Sequence, residues 1–513
     1  MGICDSNSTK SQNYLVNPKS QKFFSDLVHS QTLTPNNNSL SEKVKLKILI
    51  NQIKNNCQYN IKLYNVIGNK NYIINEKSQC SKKKLTAELV SPILIRYYFE
   101  KQQPLLIEIL KTENSYTKQY QIKTTLGCIM GSRNNTFKKN ISSKENEIIT
   151  IKGEKADESE DVACIKFEAK SNMLYKISNK IYYEIYSDNI LYRSECLDER
   201  GKFIPVKIPL SLFTNKMIRI LFIQNTKKLI GEFNFNIYEI ANHKTFNLII
   251  NGSPIQIIST SKLTKNYTFV DYLNAGIQIG FSVAIDFTGS NGNPNNRNSL
   301  HYINGNMPNQ YERAIKSCGN IVGNYDYDQL FPCFGFGAKI NNIPTPLFNL
   351  NLQENPDIAY IDGIIDAYHN AIKIVQLWGP TNFAPIIREM NRIIKEQKHK
   401  LKYHILMILT DGIIDDIDDT IDELVASSFL PLSVIIIGVG KADFTNMVQL
   451  DADDNPLVDS KGVKSVRDLV QFVPFLKFES SPENLAIEVL EEIPRQIVEY
   501  YEQNNLDPIK LTT

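Results

Sequence analysis

The sequence predicts a multidomain protein: two all-β sandwiches followed by an α/β domain whose sheet is doubly wound and mainly parallel. The chain has 513 residues, enough for two to four domains with separate cores. Between residues 43 and 250, short apolar or alternating runs are separated by polar turns, as in antiparallel sheets. From about residue 269, apolar strands alternate with helical stretches, as in parallel sheets covered on both faces.

The all-β half has no long helical periodicity. Its apolar or alternating runs lie at residues 44–50, 93–99, 105–110, 181–186, 217–223 and 248–250. An acidic stretch at residues 153–161 is the expected linker between two sandwiches of about a hundred residues each. We predict the first sandwich at residues 42–152 and the second at residues 160–255.

The α/β half is predicted to form one domain at residues 268–505, with a tail at residues 506–513. Its strands are expected at residues 277–286, 330–336, 403–410 and 432–439, and its helices near residues 311–321, 361–375, 384–395, 415–426 and 481–501. Pro494 should kink the last helix. The acids of residues 415–419 are expected in the first turn of their helix, where the helix dipole favours negative charge.

Composition and charge exclude several classes of protein. The net charge is +2, from 57 basic and 55 acidic side chains, so no overall field would attract nucleic acid. The eight cysteines are scattered without a C-x-x-C pair, which favours a reducing compartment. No apolar run reaches the ~20 residues of a membrane span, and the N-terminus lacks the apolar core of a signal peptide.

The first six residues, M-G-I-C-D-S, match the signal for removing Met1 and myristoylating Gly2. Cys4 offers a thiol for a second acyl chain, and two chains anchor a protein far more stably than one. Residues 1–41 therefore predict an acylated, flexible tether, and an ordinary start is the alternative. We expect a peripheral protein at the cytoplasmic face of the plasma membrane or another membrane, and in the cytosol when it is not acylated.

A candidate metal site lies where the apolar strand at residues 277–286 ends. Asp286, Thr288 and Ser290 present oxygens at every second position, without sulfur or imidazole. Asp411 ends another apolar strand, and the loop at residues 379–383 offers the hydroxyl of Thr381. Carboxyl ends of parallel strands meet at one edge of a sheet, and all-oxygen ligation suits Mg²⁺ or Mn²⁺. Taken alone, Asp286 with its hydroxyls could instead cap a turn.

These residues resemble the metal-ion-dependent adhesion site (MIDAS) of von Willebrand factor type A domains. That site also has a D-x-T-x-S motif, then an isolated Thr in a loop, and then an Asp at the end of a strand. Longer strings throughout the last half resemble the copine family: V-A-I-D-F-T-G-S-N-G-N-P (283–294), S-L-H-Y (299–302), F-G-F-G-A-K (334–339), G-P-T-N-F-A-P (379–385), T-D-G (410–412), I-I-I-G-V-G (435–440) and D-L-V-Q-F-V-P-F (468–475). The resemblance implies two C2-type sandwiches before a Rossmann-like A-type domain. It also implies that Thr288 or Ser290 and Thr381 ligate the cation, with Asp286 and Asp411 acting directly or through water.

Calcium binding by the two sandwiches is not predicted with confidence at any residue. C2 domains that bind Ca²⁺ present several loop aspartates, because Ca²⁺ takes six to eight oxygens. Residues 65–75 contain no aspartate, residues 110–114 offer one Glu, and residues 178–179 read Ser-Asn where the family pattern has Ser-Asp. Residues 223–228, where the family pattern has its next acidic loop, contain no Asp or Glu. These replacements argue against calcium-triggered docking.

Two other interpretations stay open. An aspartyl-phosphate phosphatase also places an Asp above Mg²⁺, but it needs a second acid where Thr288 stands. No P-loop, kinase glycine loop or H-E-x-x-H is present, and His301 and His369 are expected to pack or hydrogen-bond. We therefore expect no enzymatic activity. The second alternative is a structural scaffold whose A-type domain does not depend on metal.

The expected function is that of a copine-like adaptor in signalling or membrane trafficking. Acylation and the two sandwiches would bind a phospholipid membrane. The MIDAS would recruit an intracellular protein that presents an acidic residue.

Overall fold

The computed structural model describes residues 41–512 except 54–56, 69, 84, 143–144, 171–179, 199, 214–215, 243–244, 251–252, 306, 398–400 and 452–455. It confirms the predicted fold class: all-β structure in the first half and an α/β domain in the second. By contacts between its residues, the chain divides into two compact units. One includes residues 159–266, and the other joins residues 39–158 to residues 267–513.

The first all-β region is one nine-stranded sheet in the order β7-β6-β2-β3-β4-β1-β9-β8, with β5 beside β1. Its strands are β1 Glu42–Asn51, β2 Cys57–Ile67, β3 Lys70–Lys83, β4 Thr86–Leu89, β5 Ile93–Tyr97, β6 Pro104–Glu113, β7 Tyr116–Thr125, β8 Thr136–Ser142 and β9 Glu145–Lys155. Strand β3 pairs with β2 at its start and with β4 at its end, so it belongs to both halves of the sheet. Alternate residues of β1, such as Val44, Leu46 and Ile48, are buried, which is the period expected when one face covers a core. A short helix that we did not predict, α1 Leu126–Gly131, follows β7.

The unit that contains residues 159–266 has its own aromatic core. Its strands are β10 Asp161–Ile165, β11 Phe167–Lys170, β12 Ile181–Tyr186, β13 Ile190–Arg193, β14 Val206–Pro209, β15 Met217–Gln224, β16 Leu229–Asn236, β17 Thr245–Ile250, β18 Ser253–Ser259 and β19 Lys262–Lys265. They form three sheets, in the orders β14-β10-β19, β11-β18-β17 and β13-β12-β15-β16. Phe167 packs edge-on against Tyr183 and Phe246, at ring distances of 4.9 and 5.7 Å, and joins two of the sheets.

The α/β region surrounds an eight-stranded sheet in the order β22-β21-β20-β25-β26-β27, with β23 and β24 beside β21. The strands are β20 Gln278–Asp286, β21 Leu330–Ile340, β22 Ile343–Asn349, β23 Asp357–Ala359, β24 Gln376–Leu377, β25 Lys402–Thr410, β26 Leu432–Gly438 and β27 Val470–Pro474. The helices are α2 Phe269–Asn274, α3 Gln310–Val322, α4 Ile361–Ile374, α5 Ala384–Glu396, α6 Ile417–Ser427, α7 Thr445–Leu450, α8 Pro482–Leu490, α9 Ile493–Gln503 and α10 Pro508–Thr512. Strands β20, β21, β25, β26 and β27 are parallel to their neighbours in this set. Residues 279–286 of β20 are all buried, because helices cover both faces of the sheet.

The predicted closing helix is two helices, α8 and α9. Pro494 occupies the first turn of α9, where its missing N–H is not needed by the helix. The break therefore falls just before Pro494, and the expected kink within one continuous helix was wrong. Within the segment expected to be a tail, α10 buries Pro508.

The first all-β region and the α/β region share one hydrophobic core. Phe99 lies between Phe269 and Tyr325, at ring distances of 5.2 and 5.0 Å. The hydroxyls of Tyr97 and Tyr325 lie 2.5 Å apart, and Lys155 pairs with Asp271 at 2.6 Å. These contacts are buried or half-buried, so the two regions form a single packed body.

Candidate functional site

The ends of two neighbouring parallel strands bring the predicted site residues together. Strands β20 and β25 pair in register up to Ile285 and Leu409, so Asp286 and Thr410 end side by side. The Thr410 hydroxyl donates to the Asp286 carboxylate at 2.7 Å. Thr410 was not among the predicted site residues, although it directly precedes Asp411.

Four of the five predicted ligands form one hydrogen-bonded cluster. The Thr288 hydroxyl donates to Asp286 Oδ1 at 2.6 Å, and the Ser290 hydroxyl donates to Asp411 Oδ1 at 2.8 Å. The two hydroxyl oxygens lie 2.9 Å apart. Asp286, Thr288 and Asp411 are buried, whereas Ser290 is exposed, so the cluster is open to solvent at Ser290.

The cluster has more oxygen lone pairs than protons. Each hydroxyl carries one hydrogen, and the Thr288 and Ser290 hydrogens are both directed to carboxylates. When both hydrogens point to the carboxylates, none is left for the 2.9 Å contact between the two hydroxyls, in which either oxygen could be the donor. A cation that accepts these lone pairs would relieve the contact, and a donor set made only of oxygens fits a hard divalent ion.

The carboxyl groups of Asp286 and Asp411 are also difficult to ionise together. Burial raises the pKa of Asp286 above its ordinary value, even though Thr288 and Thr410 donate to it. Burial also raises the pKa of Asp411, and the neighbouring Asp286 charge raises it further. Two buried acids that disfavour each other's ionisation form a site that a positive ion would stabilise.

Thr381, the fifth predicted ligand, is buried, but no hydrogen bond joins its hydroxyl to the other four within the described part of the chain. Its backbone N–H donates to Asp415 at 2.7 Å. Asp416 accepts hydrogen bonds from the N–H groups of Phe383 and Ala384, at 2.9 and 3.0 Å, where α5 begins. Asp415 and Asp416 therefore hold the Thr381 loop beside the segment that follows β25 and Asp411.

This arrangement corrects one prediction. The acids of residues 415–419 were expected in the first turn of α6, but α6 begins at Ile417, and only Asp418 and Asp419 lie in that turn. The carboxylates of Asp415 and Asp416 bond backbone groups more than thirty residues away in sequence. We did not predict this role from the sequence, because the helix dipole already explained the acids of residues 415–419 and their backbone partners are far away in the chain.

Close backbone packing fixes Thr288 against the neighbouring loops. The Gly289 N–H donates to the carbonyl of Trp378 at 2.8 Å. Gly337 has a φ of +73°, and a Cβ there would lie 2.3 Å from Thr288 Cγ2. A glycine at position 337 is therefore needed both for its backbone conformation and for the room that Thr288 occupies.

A buried histidine supports the strand end from behind. His301 Nε2 lies 2.8 Å from the carbonyl oxygen of Asp286, so this nitrogen carries the hydrogen and donates. Nδ1 then accepts from the Tyr368 hydroxyl at 2.8 Å, and Asn309 donates to the same hydroxyl at 3.0 Å. Burial lowers the pKa of His301 to about 3, which keeps the ring neutral. His369 lies elsewhere and pairs with Glu312 at 2.9 Å.

The remaining predicted sites are only partly within the described chain. The acylation residues Gly2 and Cys4 and the loop residues 178–179 lie outside the described residues. The described part contains no cluster of three or more His, Cys, Asp or Glu suited to a metal ion, a criterion that a site with two carboxylates does not meet. None of the described helices is long and apolar enough to cross a bilayer.

The β2–β3 hairpin of the first sheet ends in an exposed apolar tip. Ile67, Tyr72 and Ile73 are 59, 50 and 57 % exposed, and Lys70 is exposed between them in sequence. Residues 65–75 contain no acid. Exposed aliphatic and aromatic groups beside a lysine are typical of surfaces that enter a membrane interface.

In a comparison with known families, residues 299–509 match the family described as Copine. This span includes Thr381 and Asp411 and begins after Ser290.

Many solved structures are similar to parts of the chain, including the following three. Manganese-loaded TRAP protein of Plasmodium vivax is 14 % identical over 39 % of this chain and 70 % of its own, with a TM-score of 0.26. The calcium-bound pair of C2 domains of extended-synaptotagmin 2 is 9 % identical over 44 % and 98 %, with a TM-score of 0.17. Proximal thread matrix protein 1 of the mussel byssus, with zinc in its MIDAS, is 13 % identical over 41 % and 46 %, with a TM-score of 0.25. At these scores we draw no functional conclusion from the three similarities.

Proposed function

We propose that this chain, whose residues 299–509 match the copine family, is a copine-like, non-enzymatic peripheral membrane adaptor that recruits a protein partner through a bound divalent cation. We assign residues 42–152 and 160–255 to two degenerate C2-like sandwiches and residues 268–505 to the A-type domain. The observation that carries the proposal is the cluster of carboxylate and hydroxyl oxygens at Asp286, Thr288, Ser290 and Asp411.

The cation is Mg²⁺ or Mn²⁺, because the available donors are carboxylate and hydroxyl oxygens. Thr288, Ser290 and Thr381 would hold it with neutral oxygens, and Asp286 and Asp411 would ligate it directly or through water. Rotation of the exposed Ser290 side chain frees its oxygen from Asp411, and Thr381 is positioned near the strand ends by Asp415. The cation would supply a point of attachment for an anion.

An acidic residue of the partner completes this attachment. Uncharged hydroxyls leave a divalent ion only partly neutralised, and Mg²⁺ usually keeps several waters that a carboxylate oxygen replaces. The cluster opens to solvent at Ser290, so a partner side chain has access. Catalysis is not proposed, because the position of a second acid is occupied by Thr288 and the buried His301 is engaged on both ring nitrogens.

Membrane association is proposed to depend on acylation of Gly2 and Cys4 and on the hairpin tip at Ile67, Tyr72 and Ile73. One myristoyl chain binds membranes only marginally, with K of about 10⁴ M⁻¹, so a second contact is needed for stable attachment. The tip lies in the region where a calcium-binding C2 domain would carry aspartates, and it offers apolar groups and a lysine instead. The expected partner at the membrane is therefore phospholipid, without a requirement for Ca²⁺.

Capture from a cell lysate by the immobilised full-length protein tests partner recruitment. We expect one set of proteins to bind in Mn²⁺ or Mg²⁺ and to elute with EDTA. Thr381→Ala and Asp286→Ala should abolish this set, whereas Thr345→Ala, in the edge strand β22, should keep it. Capture that survives both site variants and EDTA would contradict the proposal and favour a metal-independent scaffold.

A further inference from the structure

Beside the candidate metal cluster lies a cavity of about 740 Å³. One wall is the backbone of the loop that carries Ser290, at Gly289, Gly292 and Asn293. The end of α4 and β24 also line the cavity. The loop that carries Thr381 follows β24 in sequence. The volume is within the range of about 300 to 1,000 Å³ that ligand-binding clefts occupy.

The lining of the cavity has a definite chemical character. Polar and apolar groups share its surface about equally, and Ile303, Ile372, Val375 and Leu377 contribute the aliphatic side chains. Among the described residues no Asp or Glu lines it, and Lys373 is the one Lys or Arg side chain in the lining. Lys373 is exposed and forms no ion pair with any residue in the described ranges. The cavity therefore fits an aliphatic group that is accompanied by negative charge.

Two exposed apolar residues lie close in sequence to the cavity lining and to the metal cluster. Trp378 follows the cavity residue Leu377 and is 50 % exposed, with the Lys339 ammonium 2.9 Å from its ring centre. Ile413 follows Asp411 by two residues and is 56 % exposed. Exposed tryptophan and basic groups around a solvent-open cluster are common at protein-binding surfaces.

From these observations we propose that the cavity is a second recognition site for the same partner, and that it receives an aliphatic side chain next to the acidic residue on the cation. The partner segment is a peptide with Leu, Ile or Val beside Asp or Glu, and Lys373 receives a further carboxylate of that segment. This inference rests on the proposed cation-dependent recruitment. It adds a preference for partner segments with an aliphatic residue beside the acidic one, which the cation alone would not give. The cation would bind the carboxylate of any acidic segment, whereas the cavity would favour segments that also carry an aliphatic side chain.

The test uses the immobilised full-length protein and a phage-displayed library of random dodecapeptides. Panning in Mn²⁺ followed by elution with EDTA should enrich peptides in which an acidic residue adjoins an aliphatic one. Replacing the aliphatic residue by Ala in a synthetic consensus peptide should weaken its binding about tenfold. Lys373→Glu should weaken it by a similar factor, because an attraction becomes a repulsion at a half-open site. Lys373→Arg and the distant exposed Lys395→Glu should bind as the unaltered protein does.

Two results would contradict the inference in different ways. Enrichment of acidic peptides without an aliphatic neighbour, with affinity unchanged by Lys373→Glu, would reject the role of the cavity and leave the cation site intact. Absence of any EDTA-eluted peptide, or equal enrichment on Asp286→Ala, would reject the cation-dependent recruitment and this inference with it.

Discussion

The Ser290 hydroxyl donates to the carboxylate of Asp411 at 2.8 Å, across 121 residues of sequence. This bond joins the loop after β20 to the end of β25, and Thr288 links the same pair of loops to Asp286. The parallel register of β20 and β25 places both carboxylates at the same edge of the sheet. Two acids and two hydroxyls thus meet where the fold leaves an opening to solvent.

The first prediction concerns acid sensitivity. Burial lowers the pKa of His301 from 6.5 to about 3, so the unfolded chain binds a proton below pH 6.5 that the folded chain does not. The contribution of His301 to folding stability is therefore lost as pH falls, by about 1.4 kcal/mol per unit, or about 2 kcal/mol between pH 6.5 and 5, while Asp411, whose folded-state pKa is raised to about 7, contributes in the opposite direction over the same range. His301→Gln keeps an N–H for the Asp286 carbonyl and should lack this loss. Urea unfolding in EDTA at the two pH values measures it, and an equal loss in both proteins would reject the account of His301.

The second prediction concerns Gly337. Gly337→Ala places a Cβ 2.3 Å from Thr288 Cγ2 at a φ of +73°, so either the strand or the Thr288 loop must move. We expect a destabilisation of about 1 to 3 kcal/mol and a loss of cation-dependent stabilisation. Gly305→Ala is the matched control, because its Cβ would have no neighbour within 4 Å. If Gly337→Ala responds to Mn²⁺ as the control does, the packing of Thr288 does not matter for the site.

Much of this arrangement follows from the sequence, and the reasons are local. Continuous apolar runs that end in Asp286 and Asp411 predicted two buried strands and the edge at which they terminate, and those strands are Gln278–Asp286 and Lys402–Thr410. The order of hydroxyls after Asp286 predicted which side chains cluster. The edge strand β22 was missed, because its residues alternate irregularly with two prolines.

The contacts that the sequence did not reveal are those between segments far apart in the chain. Asp415 and Asp416 read as helix-dipole acids, yet they bond the backbone of residues 381–384. The shared core of the first all-β region and the α/β region was also missed. Periodicity reports which face of an element is buried, but it does not report which distant surface covers that face.

The third prediction concerns this shared core. A Cβ at Gly131 would lie 2.1 Å from the backbone oxygen of Asn324, so Gly131→Ala must separate the two regions or shift backbone. We expect it to lower their joint unfolding temperature by several degrees or to split the transition in scanning calorimetry. In Gly305→Ala the added Cβ would meet no atom within 4 Å, so that variant is the control. Equal thermograms for the two variants would show that the regions do not stabilise each other.

The fourth prediction concerns the membrane. Gly2→Ala removes the acylation site, and loss of a myristoyl chain should release most of the protein to the soluble fraction of fractionated cells. Tyr72→Ser at the hairpin tip should weaken binding to anionic vesicles without Ca²⁺, whereas Tyr116→Ser, at another exposed hairpin, should not. Retention of the Gly2→Ala protein on membranes only when Ca²⁺ is added would contradict the expected independence from calcium.

The central claim is that Asp286, Asp411 and their hydroxyl neighbours bind a divalent cation, and thermal unfolding of the full-length protein with Mn²⁺ or Mg²⁺ against EDTA tests it most directly. Metal at a hundred times its dissociation constant should stabilise the unaltered protein by about 2.7 kcal/mol, a shift of about 3 to 4 °C, and the emission of Trp378, the single tryptophan, should change with the same midpoint. Asp286→Ala should show neither response, while the exposed Asp366→Ala should show both. Equal unfolding temperatures with metal and EDTA in the unaltered protein, or an undiminished shift in Asp286→Ala, would contradict the claim.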